Sequence, residues 1–107
     1  MPTSKYLYKF EPDLEIIDPD CSHEDWIRVG RAIYDATEGS DYGLAIFNIW
    51  SSQGKKYKGM HEVHLTWRSF RTGEKDPYPL GTLATMAAEA RGIEPVYYVQ
   101  LLQQANM

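Results

Sequence analysis

Apolar side chains recur along this chain at two different spacings. In KYLYKFEPDLEIIDPD, residues 5–20, Tyr6, Tyr8 and Phe10 alternate with other positions until Pro12 and Pro19 interrupt the run. Period two predicts an extended leader over 1–21, lying along the surface of the remaining domain. From Ser22 the spacing lengthens to three and four, the period of a helix with one buried face. Ser22 is a candidate cap, Glu24 and Asp25 suit a first turn, and Trp26, Val29, Gly30 and Ile33 form the stripe that Gly39 ends. A second helix is expected from Ser40 or Asp41, with Tyr42, Ile46, Ile49 and Trp50 inward and Gly54 as its stop. MHEVHLTWRSF (60–70) places Met60, Val63, Trp67 and Phe70 on one face, and TGEKDPYP (72–79) reads as a loop. A fourth helix over 81–91 turns Leu83, Met86, Ala87 and Ala90 inward and closes at Gly92. Pro95 opens a fifth, with Tyr98, Leu101, Leu102 and Ala105 as its face. The expectation is all-α: a compact bundle of four to five short helices over 22–107, behind an extended N-terminal leader.

Length supports one core, since 107 residues make one domain. The longest uncharged stretches, 42–54 and 95–107, are 13 residues each. A bilayer crossing needs about 20, so no membrane partner is expected. No basic start followed by an apolar run marks a secretory signal. The lone Cys21 has no partner for an internal disulfide. Together these point to a reducing, cytoplasmic setting.

Charge changes the picture by its distribution. The net charge is −4, yet residues 1–50 carry −6, residues 51–75 carry +4, and the remainder −2. The positive quarter is where an anionic partner is to be sought. It holds Lys55, Lys56 and Lys58 around Tyr57, directly after the second helix, and Arg68 and Arg71 on the third. The arginines share a strip with His61 and His64, about 100° from the core stripe. Ammonium and guanidinium groups on one side would form a phosphate-binding surface, with Tyr57 able to stack on a base. The alternative is a solvated charged loop that Tyr57 anchors. Trp26, Trp50 and Trp67 fall on apolar stripes and read as core.

The other candidates for chemistry fail on spacing. In HEVH (61–64) the histidines stand three apart, whereas a zinc peptidase helix needs them four apart. Cys21 and His23 lack an orienting third group, and acidic neighbours raise the thiol pKa. Asp18 and Asp20 form the only D-x-D, inside the proline-broken leader with no rigid strand to hold a metal. The glycines are scattered, so there is no phosphate loop. No catalytic residue, metal or cofactor is expected in this domain.

Five landmarks appear in order: DWIRVG at 25–30, glycines at 39 and 43, Trp50-Ser51 with Lys56-Tyr57 downstream, WRSF at 67–70, and GTLATMA at 81–87. Over 23–92 the chain resembles the second primase C-terminal domain family, PriCT-2. The landmarks also have local readings: Ser51 and Ser69 can bond late-helix carbonyls, and Thr82 can cap the fourth helix. The resemblance implies a small non-catalytic helical domain behind an archaeo-eukaryotic-type primase or primase-polymerase core, often ahead of a helicase and often in phages and plasmids. It implies help in holding single-stranded template DNA or the initiating nucleotide. The positions carried over are Lys56, Tyr57 and Arg68, more loosely Lys55 and Lys58, and the charge pattern adds Arg71. Magnesium and nucleoside triphosphates would belong to the parent enzyme. The second reading is a protein-interaction module that docks a primase core to a helicase without touching nucleic acid.

Overall fold

The computed structural model describes residues 12–92, and every regular element among them is helical. A short helical segment spans 12–16. Then come α1 (His23–Ala36), α2 (Asp41–Ser52), α3 (Met60–Ser69) and α4 (Pro79–Arg91). No helix among the described residues is long and apolar enough to cross a membrane.

Local chemistry sets the ends of these helices. Ser22 Oγ accepts the Asp25 N–H, so the expected cap forms, and Ser40 Oγ accepts the Gly43 N–H to cap α2. Gly92 ends α4 at φ 74°, a left-handed conformation that a Cβ would strain. The start of α4 differs from expectation. It begins at Pro79, and Thr82 lies inside it, donating its hydroxyl to Asp76 Oδ2 at 2.6 Å. Asp76 Oδ1 accepts the Tyr78 N–H, so Asp76 rather than Thr82 ties down this helix start.

The bundle is built around α1, which packs against α2, α3 and α4, while α2 also packs against α3. Phe47 of α2 is the central side chain and has no solvent exposure. Its ring centroid lies 4.9 Å from Trp26, 6.0 Å from Trp67 and 6.2 Å from Trp50. Burying one such ring stabilises the fold by roughly 2–3 kcal/mol. Gly30 makes this possible, because a Cβ there would come within 2.6 Å of Phe47 Cζ. The closeness of α1 and α2 is thus encoded at Gly30.

Several inward positions differ from the expected stripes. In α2 the buried face is Gly43, Ile46, Phe47 and Trp50, whereas Ile49 is 60% exposed. Nearly every residue of YGLAIFNIW is apolar, so its pattern leaves the rotation of the helix open. Contact of Gly43 and Phe47 with their neighbours decides it. Met60 is 43% exposed and Ala90 is also outward, leaving Val63 and Trp67 on α3, Phe70 just after it, and Leu83, Met86 and Ala87 on α4 in the core.

The leader is also different where it is described. Residues 12–16 are helical rather than extended, and Leu14 and Ile17 belong to the core. Ile17 gives its carbonyl to Trp50 Nε1–H at 3.0 Å. Tyr6, Tyr8 and Phe10, and the helix expected from Pro95, lie outside the described residues.

Candidate nucleic-acid interface

Five pieces of chain converge: the turn at 18–21, the first turn of α1, the end of α2, the 53–59 loop, and the start of α3. They enclose an open cavity of about 460 Å³. Its floor includes Trp26, Ser51 and Val63, and its rim includes Lys55, Lys56, Tyr57 and Lys58.

The floor is rigid. Trp26 Nε1–H donates to Ser51 Oγ at 2.9 Å, and the indole lies between Phe47 and His23, whose ring stacks on it at 5.6 Å. Ser51 is buried and serves as this acceptor rather than in the expected bond to a late-helix carbonyl, whereas Ser69 makes its expected bond, its hydroxyl donating to Thr66 O. Trp50 and Trp67 are core side chains, as expected, but Trp26 is half-buried and faces the cavity.

Tyr57 leans on the core, and its hydroxyl donates to Asn48 Oδ1 at 2.8 Å. The loop therefore turns about an anchored ring, and the three flanking lysines are exposed. Lys56 Nζ donates to Cys21 O at 3.3 Å, which draws this ammonium towards the cavity mouth. The loop backbone is held from behind: Asp20 accepts the N–H of Lys55 at 2.9 Å through Oδ2 and that of Lys56 at 2.8 Å through Oδ1. Those two bonds hold the Asp20 carboxyl below the ordinary 3.8. The Cys21 thiol at the cavity wall is pushed up, first by burial and then by Asp25. Gly59 precedes α3 without any side-chain cap, so the N–H groups at this positive helix end open beside the lysines. Glu62 is the acidic residue of the wall.

The six cationic and aromatic candidates divide into two groups. Lys55, Lys56, Tyr57 and Lys58 share the cavity. Arg68 and Arg71 are exposed and do not line it. At 100° per residue, Arg68 stands roughly 120° round α3 from Glu62 and about 140° from Val63, on the flank with His61 and His64. Sequence reasoning missed His23, Trp26, Ser51 and Asp20 as parts of this region. Only Trp26 and Ser51 carried a signal, being landmarks whose spacing gave no hint that they bond each other.

The described residues thus form a helical bundle with a lysine-rimmed cavity. The model of the family Primase C terminal 2 (PriCT-2) matches residues 11–87, and the chain belongs to that family. It is a primase-associated C-terminal domain. The match begins ahead of the 23–92 stretch that carried the resemblance and takes in the helical segment at 12–16. Searches of curated proteins and of solved structures returned no match.

Proposed function

We propose that this domain assists primer synthesis by holding phosphates of single-stranded template DNA, or of the initiating nucleotide, at the lysine-rimmed cavity. The observation that carries the reading is the arrangement of Lys55, Lys56 and Lys58 over one cavity, on a loop fixed at its backbone and at Tyr57. Ammonium groups and an uncapped helix start both attract phosphate. His23 and Tyr57 add ring surface beside them for an unstacked base. Arg68 and Arg71 extend the contact along the outer flank of α3. Nucleotidyl transfer itself, with its magnesium and nucleoside triphosphates, belongs to the catalytic domain of a parent primase or primase-polymerase, of the kind found in phages and plasmids.

Neutralising about three phosphates on a single strand gives a log–log salt slope near −2. Titrating a fluorescent single-stranded oligonucleotide at two salt concentrations reads that slope directly. Weak, salt-sensitive binding is expected, and Lys55→Glu/Lys56→Glu/Lys58→Glu should abolish it. Binding by this variant equal to that of the unaltered protein overturns the assignment.

A second reading, a module that docks a primase core to a helicase, has one observation in its favour. Leu14, Tyr42, Ile46 and the exposed Ile49 line an apolar groove of about 320 Å³ away from the lysines. Capture of a purified primase or helicase domain, lost in Ile49→Asp and with no oligonucleotide binding, would favour it.

A further inference from the structure

The lysine loop has no regular structure of its own, and a residue 35 positions away in sequence holds it. Pro19 and the bond from Asp20 N–H to Asp18 Oδ1, at 2.8 Å, shape the turn at 18–21. The Cys21 N–H donates to Asp18 O at 3.1 Å, completing the turn just before Ser22 caps α1. The Asp20 carboxylate is thereby aimed outward, with its two oxygens placed to meet two successive backbone N–H groups. It meets those of Lys55 and Lys56. Gly54 is the matching concavity, since a Cβ there would lie 2.6 Å from Asp20 Oδ1 and 3.3 Å from the Pro19 carbonyl carbon.

We propose that Asp20 is a positioning residue for the phosphate contact, fixing the loop from which Lys55, Lys56 and Lys58 reach the cavity; this role rests on the phosphate-holding reading of that cavity. Such an arrangement lowers the entropy lost when the lysines engage a ligand, because the backbone beneath them is already ordered. It also explains why a carboxylate stands directly behind a cationic loop. Coulomb's law alone makes that placement unfavourable for an anionic ligand. The benefit must be geometric.

These two effects of Asp20 have opposite signs, which makes the role testable. Asp20→Ala changes the net charge from −4 to −3, so electrostatics alone predicts tighter oligonucleotide binding. Positioning predicts weaker binding, by roughly three- to ten-fold. Asp20→Asn retains one acceptor oxygen and should fall between Asp20→Ala and the unaltered protein. Gly54→Ala keeps every charge but pushes the turn off the loop, and should weaken binding as Asp20→Ala does. Amide hydrogen exchange should show Lys55 and Lys56 losing protection in Asp20→Ala and Gly54→Ala while the α1–α4 amides keep theirs, which separates a local release from global destabilisation. Tightened or unchanged affinity in Asp20→Ala overturns the positioning role. So does unchanged exchange at Lys55 and Lys56. If the unaltered protein shows no salt-sensitive binding, the phosphate reading of the cavity fails, whereas exchange at these two amides still reports whether Asp20 holds the loop.

Discussion

Between α2 and α3, Asp20 accepts the N–H groups of Lys55 and Lys56. Between α3 and α4, Asp35 Oδ2 accepts the Asp76 N–H at 2.7 Å, and Asp76 in turn receives Tyr78 N–H and the Thr82 hydroxyl. Both loops therefore hang on carboxylates from a different stretch of chain. A cation beside the second loop and the cations of the first are treated in opposite ways. Against the second loop, Arg31 of α1 pairs with Asp35 at 2.9 Å, with side-chain exposures of 14% and 9%, and donates to Phe70 O and Thr72 O. Its guanidinium also lies 5.6 Å from the Phe70 ring. That charge is consumed inside the fold. In the first loop the lysine side chains stay exposed, and the Lys56 ammonium bonds a carbonyl oxygen, which leaves its charge unneutralised. The difference separates a cation that stabilises the fold from cations whose charge stays open to solvent.

The largest effect that would break this comparison is on stability. Arg31→Ala leaves the largely buried Asp35 carboxylate without its cation, holding only the Asp76 N–H, and should lower unfolding free energy by about 2–3 kcal/mol, read by urea denaturation. Oligonucleotide affinity, measured where the variant is still folded, should stay within about two-fold, because α1 presents Arg31 to the other loop. Comparable losses of affinity and stability would remove the distinction. Next in size, Lys55→Glu/Lys56→Glu/Lys58→Glu should reduce affinity by more than roughly ten-fold while changing stability by under about 1 kcal/mol, as exposed charges do.

A smaller effect sharpens the division of the positive quarter. Arg68→Glu should weaken binding less than Lys56→Glu does, since Arg68 stands off the cavity; equal losses in the same titration would join the two groups into one surface. Thr82→Val removes the bond to Asp76 and should cost about 1 kcal/mol in the denaturation experiment, with no change in binding. The smallest effect is on pH. The Asp20 carboxyl titrates lower in the folded chain than the ordinary 3.8. Its contribution is therefore complete above 3.8 and lost as pH falls through the lowered value. Amide shifts of Lys55 and Lys56, followed by NMR, should titrate with a midpoint below 3.8.

The helices α1–α4 and several of their ends were legible because they rest on neighbours in sequence: Ser22 and Ser40 stand at helix starts and cap through residues three positions on, and Gly92 turns through its own φ. The positive loop was legible for the same reason, as a run of charge after an apolar helix. The pairings between distant segments were not. Trp26 meets Ser51 across 25 positions, Arg31 meets Phe70 across 39, and Asp20 meets Lys55 across 35. Those pairings depend on how α1 lies against its neighbours, which Gly30 and the Phe47 ring decide by contact.

By itself, then, the sequence determined the helical bundle of the described residues, the family, and the segment that carries positive charge. Tertiary structure alone decided that Ile49 and Met60 face outward, that Trp26 walls a cavity, and that Arg68 stands off the cavity the lysines rim. The physical reason is range. Periodicity, caps and charge runs act within a few residues, whereas rotation of one helix against another is set by side chains meeting from distant parts of the chain.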